Sequence, residues 1–174
     1  MLEDFNLLAT TYRGFERNAC SELKYLLEQI GDPASDVRRC GVAGLFIAKT
    51  VLDPHEAIKK LRDILHCRPY EFRYILRILP IEKVVHTELS EIREVAENFS
   101  LRIGKTETFR ITVEKRFTIM HSSEIIQTIA AKIKRKVDLE KPDKTLLIEI
   151  IGGFTGISLV SREGILSVLK EKML

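Results

Sequence analysis

The order in which apolar periodicity changes along residues 5–79 constrains this 174-residue chain more than any other feature. Residues 5–11 read as a buried strand. From Gly14 onward, Phe15, Ala19, Leu23, Leu26, Leu27 and Ile30 recur every three or four positions, the spacing of an amphipathic helix, and Gly31-Asp32-Pro33 stops it. Residues 36–41 and 44–52 read as strands, the second carrying Leu45, Phe46, Ile47 and Val51. Asp53-Pro54-His55-Glu56 then opens a helix, with Asp53 as cap, Pro54 at the first helical position and Glu56 reaching back. Ala57, Ile58, Leu61, Ile64 and Leu65 supply its buried stripe, and a strand at 71–79 precedes Pro80. Strand, helix, strand, strand, helix, strand is the ferredoxin-like order.

The second half keeps alternating. Thr87 is placed to cap a helix running to about Leu101, with Ile92, Val95, Ala96 and Phe99 on one face. Residues 107–114 alternate, Phe109, Ile111 and Val113 against Arg110, Thr112 and Glu114. Ser122 or Ser123 suits the cap of a helix whose inner face is Ile125, Ile126, Ile129, Ala130, Ile133 and Val137. Pro142-Asp143 turns the chain into a strand at 145–151, Gly152-Gly153 marks a hairpin to a strand at 154–160, and residues 163–173 suit a short helix. The expected fold is therefore α/β (α+β), a ferredoxin-like βαββαβ domain over 1–82 followed by a second α/β domain over 83–174. That boundary rests on Pro80 and on the count of elements.

Charge is distributed unevenly over these elements. Between Arg102 and Lys136 stand nine Lys or Arg and three Glu, a local charge of +6 in a protein of net charge +3, so the remainder sums to −3. Such asymmetry points to a polyanion-binding face within a folded unit. Lys115 and Arg116 end a strand. Lys132, Arg135 and Lys136 fall on the outward side of a helix continuing to Val137, where 132 and 136 are one turn apart. His121-Ser122-Ser123 sits at a loop-to-helix junction, where free N–H groups and two hydroxyls suit a phosphate or ribose oxygen; plain helix capping uses the same residue types.

Catalytic patterns are sparse. The four histidines (His55, His66, His86 and His121) belong to separate elements, and phosphate-cradling or nucleophile-elbow glycine motifs are missing. Three widely spaced cysteines form neither a disulfide framework nor the local pairs of a zinc site, and Cys20 reads as a small core residue. No apolar run reaches the roughly 18–20 residues of a membrane span. The N-terminus lacks the basic flank of a secretory signal, so a cytoplasmic protein is expected. No catalytic residue, metal or cofactor is expected. With no Trp, four Tyr and eight Phe, no stacking platform for bases is evident either.

Phe109-Arg110 with Lys115-Arg116, His121-Ser122-Ser123-Glu124, and Val137-Asp138-Leu139-x-x-Pro142-Asp143 leading into Ile148-Glu149-Ile150 together resemble the THUMP domain, a module of tRNA-modifying proteins. The likeness covers about 105–160 and extends back to about 85, and a ferredoxin-like domain commonly precedes this module. The resemblance implies binding of tRNA through its acceptor stem and single-stranded 3′ end, with Arg110, Lys115, Arg116, Ser122 and Ser123 as matching RNA-binding positions. Asp138 and Pro142 are expected to fix the turn. Because few residues follow Val160, the chain is similar to stand-alone members, including the adaptor of a tRNA cytidine acetyltransferase. The function expected is thus a non-enzymatic tRNA-binding protein that presents tRNA to such an enzyme. The alternatives are the RNA-binding subunit of a split modifying enzyme and a protein-interaction module without RNA. Replacing Lys115 and Arg116 together is expected to weaken binding by roughly 1–3 kcal/mol with folding little changed.

Overall fold

The computed structural model describes residues 3–173 and divides the chain into two units, Met1–Ile81 with Gly164–Leu174, and Glu82–Glu163. The first unit contains β1 (Leu7–Thr11), α1 (Glu16–Gln29), β2 (Asp36–Arg39), β3 (Leu45–Lys49), α2 (Pro54–Cys67), a 3-10 turn at Pro69–Glu71 and β4 (Ile75–Pro80). The order β4-β1-β3-β2, antiparallel throughout, is the ferredoxin-like sheet. Leu23, Leu26 and Leu27 of α1 and Ile58, Leu61 and Leu65 of α2 pack with Leu7, Ala9, Phe46 and Ile78 of the strands. Both helical periodicities report the buried face, except at Phe15, which lies at the cap of α1 and is 45% exposed.

Polar side chains close the joints between these elements. Asp53 accepts N–H bonds from His55 and Glu56, as a cap should, while Glu56 pairs with Lys59 rather than reaching back. One carboxylate, Glu22 on α1, accepts the amides of Arg73, Tyr74 and Ile75 and so fixes the entry into β4.

Buried Asp32, just past α1, accepts from Thr50 Oγ1 (2.6 Å), Val51 N (3.0 Å) and Ala34 N (3.2 Å). Burial alone would raise its pKa. The bonds from Thr50, Val51 and Ala34, helped by the charge on Lys24, outweigh that and hold it below the ordinary carboxylate value. A depressed folded pKa stabilises the fold above the unfolded value, about 4, and the contribution is lost as pH falls through the lower folded value. Asp32→Asn is expected to cost about 1–2 kcal/mol at neutral pH. Urea titrations at several pH values should show the gap from wild type closing below about pH 4.

The end of the chain departs from expectation. Residues 163–173 were expected to form a helix of the second domain. Instead β10 (Leu166–Ser167) adds a strand to the edge of β4, pairing Leu166 with Ile78, and α5 (Val168–Lys172) follows. Leu166 and Val168 are buried in the first unit's core, which outweighs the helical spacing read from sequence. Glu171 holds the segment down: its Oε1 accepts from Arg62 Nε at 2.6 Å and its Oε2 from Ser167 N at 3.0 Å. Arg62 also donates to the Ile165 carbonyl, and Lys172 donates to that of Phe72. The range 83–174 expected for the second domain is corrected accordingly.

The second unit comprises β5 (Lys83–His86), α3 (Leu89–Ser100), β6 (Thr108–Arg116), α4 (Ser122–Ala130), β7 (Lys136–Val137), β8 (Lys144–Ile151) and β9 (Phe154–Ser161). Its sheet order is β5-β9-β8-β6-β7, with β6 parallel to both neighbours and the rest antiparallel. Helices α3 and α4 bury Ile92, Ala96, Ile125 and Ile129 against Phe109, Ile111, Leu146 and Ile148 on one face. Gly152 turns the β8–β9 hairpin at φ +57°, a conformation that costs glycine least. Thr87 does not cap α3; Glu88 occupies the cap position and the Thr87 hydroxyl meets that of Thr155.

Candidate nucleic-acid interface

The strand β6 sets the geometry of every candidate cation. Its nine residues extend roughly 26 Å, and alternation sends successive side chains to opposite faces. Lys115 shares the face of Phe109, Ile111 and Val113, the one covered by α3 and α4; Arg110 and Arg116 share the other. The pair Lys115-Arg116 therefore does not act as one cationic spot.

Arg116 is committed elsewhere. Its guanidinium lies 2.8 Å from Glu149 Oε2 on the adjacent β8, with side chains 21% and 4% exposed respectively. This removes Arg116 as a free phosphate ligand and explains the lone carboxylate in an apolar strand. Arg110 is exposed, and its guanidinium donates to the Leu139 carbonyl at 3.0 Å. Exposed Lys115 reaches the Met120 carbonyl at 3.2 Å.

At the start of α4, His121 occupies the cap position and makes no side-chain cap bond. Ser122 and Ser123 are the first helical residues, so neither caps the helix, contrary to expectation. Among the described residues neither hydroxyl has a hydrogen-bond partner, and the first amides of α4 are the free donors that every helix N-terminus presents. Lys115, His121, Ser122 and Ser123 thus gather at one end of β6, with Glu124 as the acid in the first turn.

The other basic group is rearranged most. Helix α4 ends at Ala130, seven residues short of the expected Val137. The amides of Lys132 and Ile133 bond three residues back, to Ile129 and Ala130, in a tightening last turn. No Gly or Pro stops the helix here. The break comes from tertiary pairing, which the 3.6-residue spacing could not reveal: Lys136 and Val137 pair with Thr108 and Phe109, and Arg135 Nε donates to the Ile103 and Gly104 carbonyls. Val137 is 51% exposed rather than inward-facing. Lys132 and Lys136 are exposed but do not sit one helical turn apart, and Arg135 is spent on the backbone. These residues lie at the opposite end of β6 from Lys115, so the nine candidates form two groups rather than one cluster.

The segment between β7 and β8 explains the most distinctive sequence motif. Asp138 accepts the amides of Glu140 and Lys141, closing the turn. Asp143 accepts Thr108 N and Oγ1, and Arg162 clasps it and the Pro142 carbonyl. The amides of Lys141 and Glu140 hold the Asp138 carboxyl below its usual range, and Thr108 does the same for Asp143. Asp138 ties the turn, as expected. Asp143 as its anchor was missed, although Thr108 beside an alternating strand was visible.

Residues 86–160 match the THUMP domain model. The chain carries a THUMP domain. A bovine (Bos taurus) THUMP domain-containing protein 1 is 29% identical over 126 residues, covering 67% of this chain and 35% of that protein. Among solved structures, a Pyrococcus horikoshii protein superimposes with TM-score 0.69 at 20% identity, over 91% of this chain and 55% of that one. A 4-thiouridine synthetase solved with RNA and ATP gives TM-score 0.59 at 17% identity, over 94% and 42%. Both superpositions extend over more than nine-tenths of this chain, and so take in its ferredoxin-like unit as well as residues 86–160. The chain spans about a third of the bovine relative's length. Among the described residues, no helix is long and apolar enough to cross a membrane, and no three His, Cys, Asp or Glu lie together as a metal site. Burial pushes the Cys20 thiol up, as suits a small core residue.

Proposed function

We propose that this protein binds tRNA through its THUMP domain and holds it for a separate modifying enzyme, without chemistry of its own. The observation that carries this is the end of β6: an exposed Lys115, a helix N-terminus with its first amides, and two serine hydroxyls without a hydrogen-bond partner among the described residues. That set suits a phosphodiester, which takes a cation, N–H donors and hydroxyls together. The THUMP match and the RNA bound to the 4-thiouridine synthetase support the choice of RNA as polyanion. Lys132 and Lys136, at the far end of the strand, give a second contact along the same duplex. Client enzyme and compartment belong to the proposal: a tRNA cytidine acetyltransferase making N4-acetylcytidine, in the cytoplasm, with this chain as adaptor.

Lys115→Ala is expected to weaken tRNA binding roughly three- to tenfold and to lower the slope of log affinity against log salt by about one. Ser122→Ala with Ser123→Ala should weaken binding with no change in that slope, since hydroxyls release no counterions. Unchanged affinity in both variants, or a flat salt dependence in the wild type, overturns the assignment. Mass-spectrometric profiling of tRNA from a deletion strain tests the client: loss of acetylcytidine supports it, and loss of a different mark names another enzyme.

A further inference from the structure

The loop joining β6 to α4 carries an apolar tip that nothing in the fold uses. Phe117 is 79% exposed and Ile119 96% exposed. Among the described residues, Phe117 is also the one non-glycine residue at positive φ, +58°. A bulky side chain resists that conformation, and here it gains no burial in return. The loop is nonetheless fixed from three sides. Gly152 N donates to the Arg116 carbonyl at 2.8 Å, Lys115 Nζ to that of Met120 at 3.2 Å, and Met120 N to Thr118 Oγ1 at 3.2 Å. From Lys115 to Ser123 the chain carries no acid. An aromatic ring is thus held out in a costly conformation, between a lysine and a run of histidine and serines.

We propose that Phe117 is a stacking residue for an unpaired base of the bound RNA, next to the phosphate taken by Lys115 and the start of α4. This rests on the RNA-binding reading and deepens it. Within a duplex, the faces of the bases are covered by their neighbours, so an exposed ring has a surface to pair with only where a nucleotide is unstacked. The cationic and hydroxylic surroundings fit a nucleotide better than an apolar peptide, because they accommodate the phosphate that accompanies the base. Ile119 then borders the same base and shields it from water.

The test compares an RNA hairpin with a short single-stranded 3′ tail against the same hairpin cut blunt. Wild type should favour the tailed RNA about tenfold. Phe117→Gly should abolish that preference while leaving blunt-hairpin affinity unchanged. Glycine suits the positive φ, so this variant should melt no lower than wild type and unfolding cannot account for the loss. Phe117→Trp should keep the preference, and 2-aminopurine in the tail should be quenched by wild type and not by Phe117→Gly. A tail preference that survives in Phe117→Gly, or wild-type binding of both RNAs with equal affinity, overturns the inference while leaving RNA binding in place. Binding of neither RNA overturns the RNA reading itself, and this inference with it.

Discussion

Arg116→Ala is expected to destabilise the protein by about 3 kcal/mol, measured as a lower midpoint in urea with an unchanged slope. The cause is Glu149, whose carboxylate is nearly inaccessible to water and lies 2.8 Å from the Arg116 guanidinium across the β6–β8 pair. Truncating the arginine removes a 2.8 Å charge-assisted hydrogen bond from a carboxylate that stays buried, which costs more than the ion pair itself contributes. Glu149→Gln together with Arg116→Met should recover most of the loss, since two neutral side chains of similar length leave no uncompensated charge. If Arg116→Ala proves as stable as wild type and binds RNA less well, Arg116 belongs to the interface after all. A double replacement of Lys115 and Arg116 therefore mixes a binding effect with a folding effect. Lys115→Ala alone is the cleaner probe of the proposed RNA surface.

Removing residues 164–174 is expected to do more damage still. The cut takes Leu166 and Val168 out of the first unit's core and leaves Arg62 without Glu171. Each apolar side chain contributes roughly 1.5–3 kcal/mol, and the broken clasp adds a comparable amount. The total approaches the 5–15 kcal/mol by which ordinary domains are stable. The shortened chain should lose the cooperative thermal transition of its first unit and become sensitive to protease there. Glu171→Gln, which keeps the shape but unpairs Arg62, should cost about 2–3 kcal/mol without dissolving the unit. A truncated chain that melts as wild type would show that the clasp is decorative.

Much of this architecture was legible because local pattern and tertiary packing agree in it. The stripes Leu23-Leu26-Leu27 and Ile58-Leu61-Leu65 face the core that their spacing implied. Asp53 caps where its sequence context placed it, and the β8–β9 hairpin turns at Gly152. What could not be read was decided by partners distant in sequence. The four residues of β5 are strand because β9 lies alongside, and Lys136-Val137 leave the helical pattern because Thr108 and Phe109 offer a ladder. The same limit applied to the interface. Charge counting found the basic stretch, but not that Glu149 would occupy Arg116 or that two carbonyls would occupy Arg135. Phe117 was passed over for a related reason: sequence spacing carries no sign of a positive φ.

The return of β10 to the edge of β4 also governs the order of events during synthesis. Residues 82–163 are continuous, so the THUMP domain has all its strands as soon as Ser161 has left the ribosome. The ferredoxin-like unit, begun earlier, must wait for Leu166 and Val168 before its core can close. The half of the molecule translated first is thus the half completed last. A slow codon or a nascent-chain chaperone acting while residues 164–173 emerge would affect that unit rather than residues 82–163.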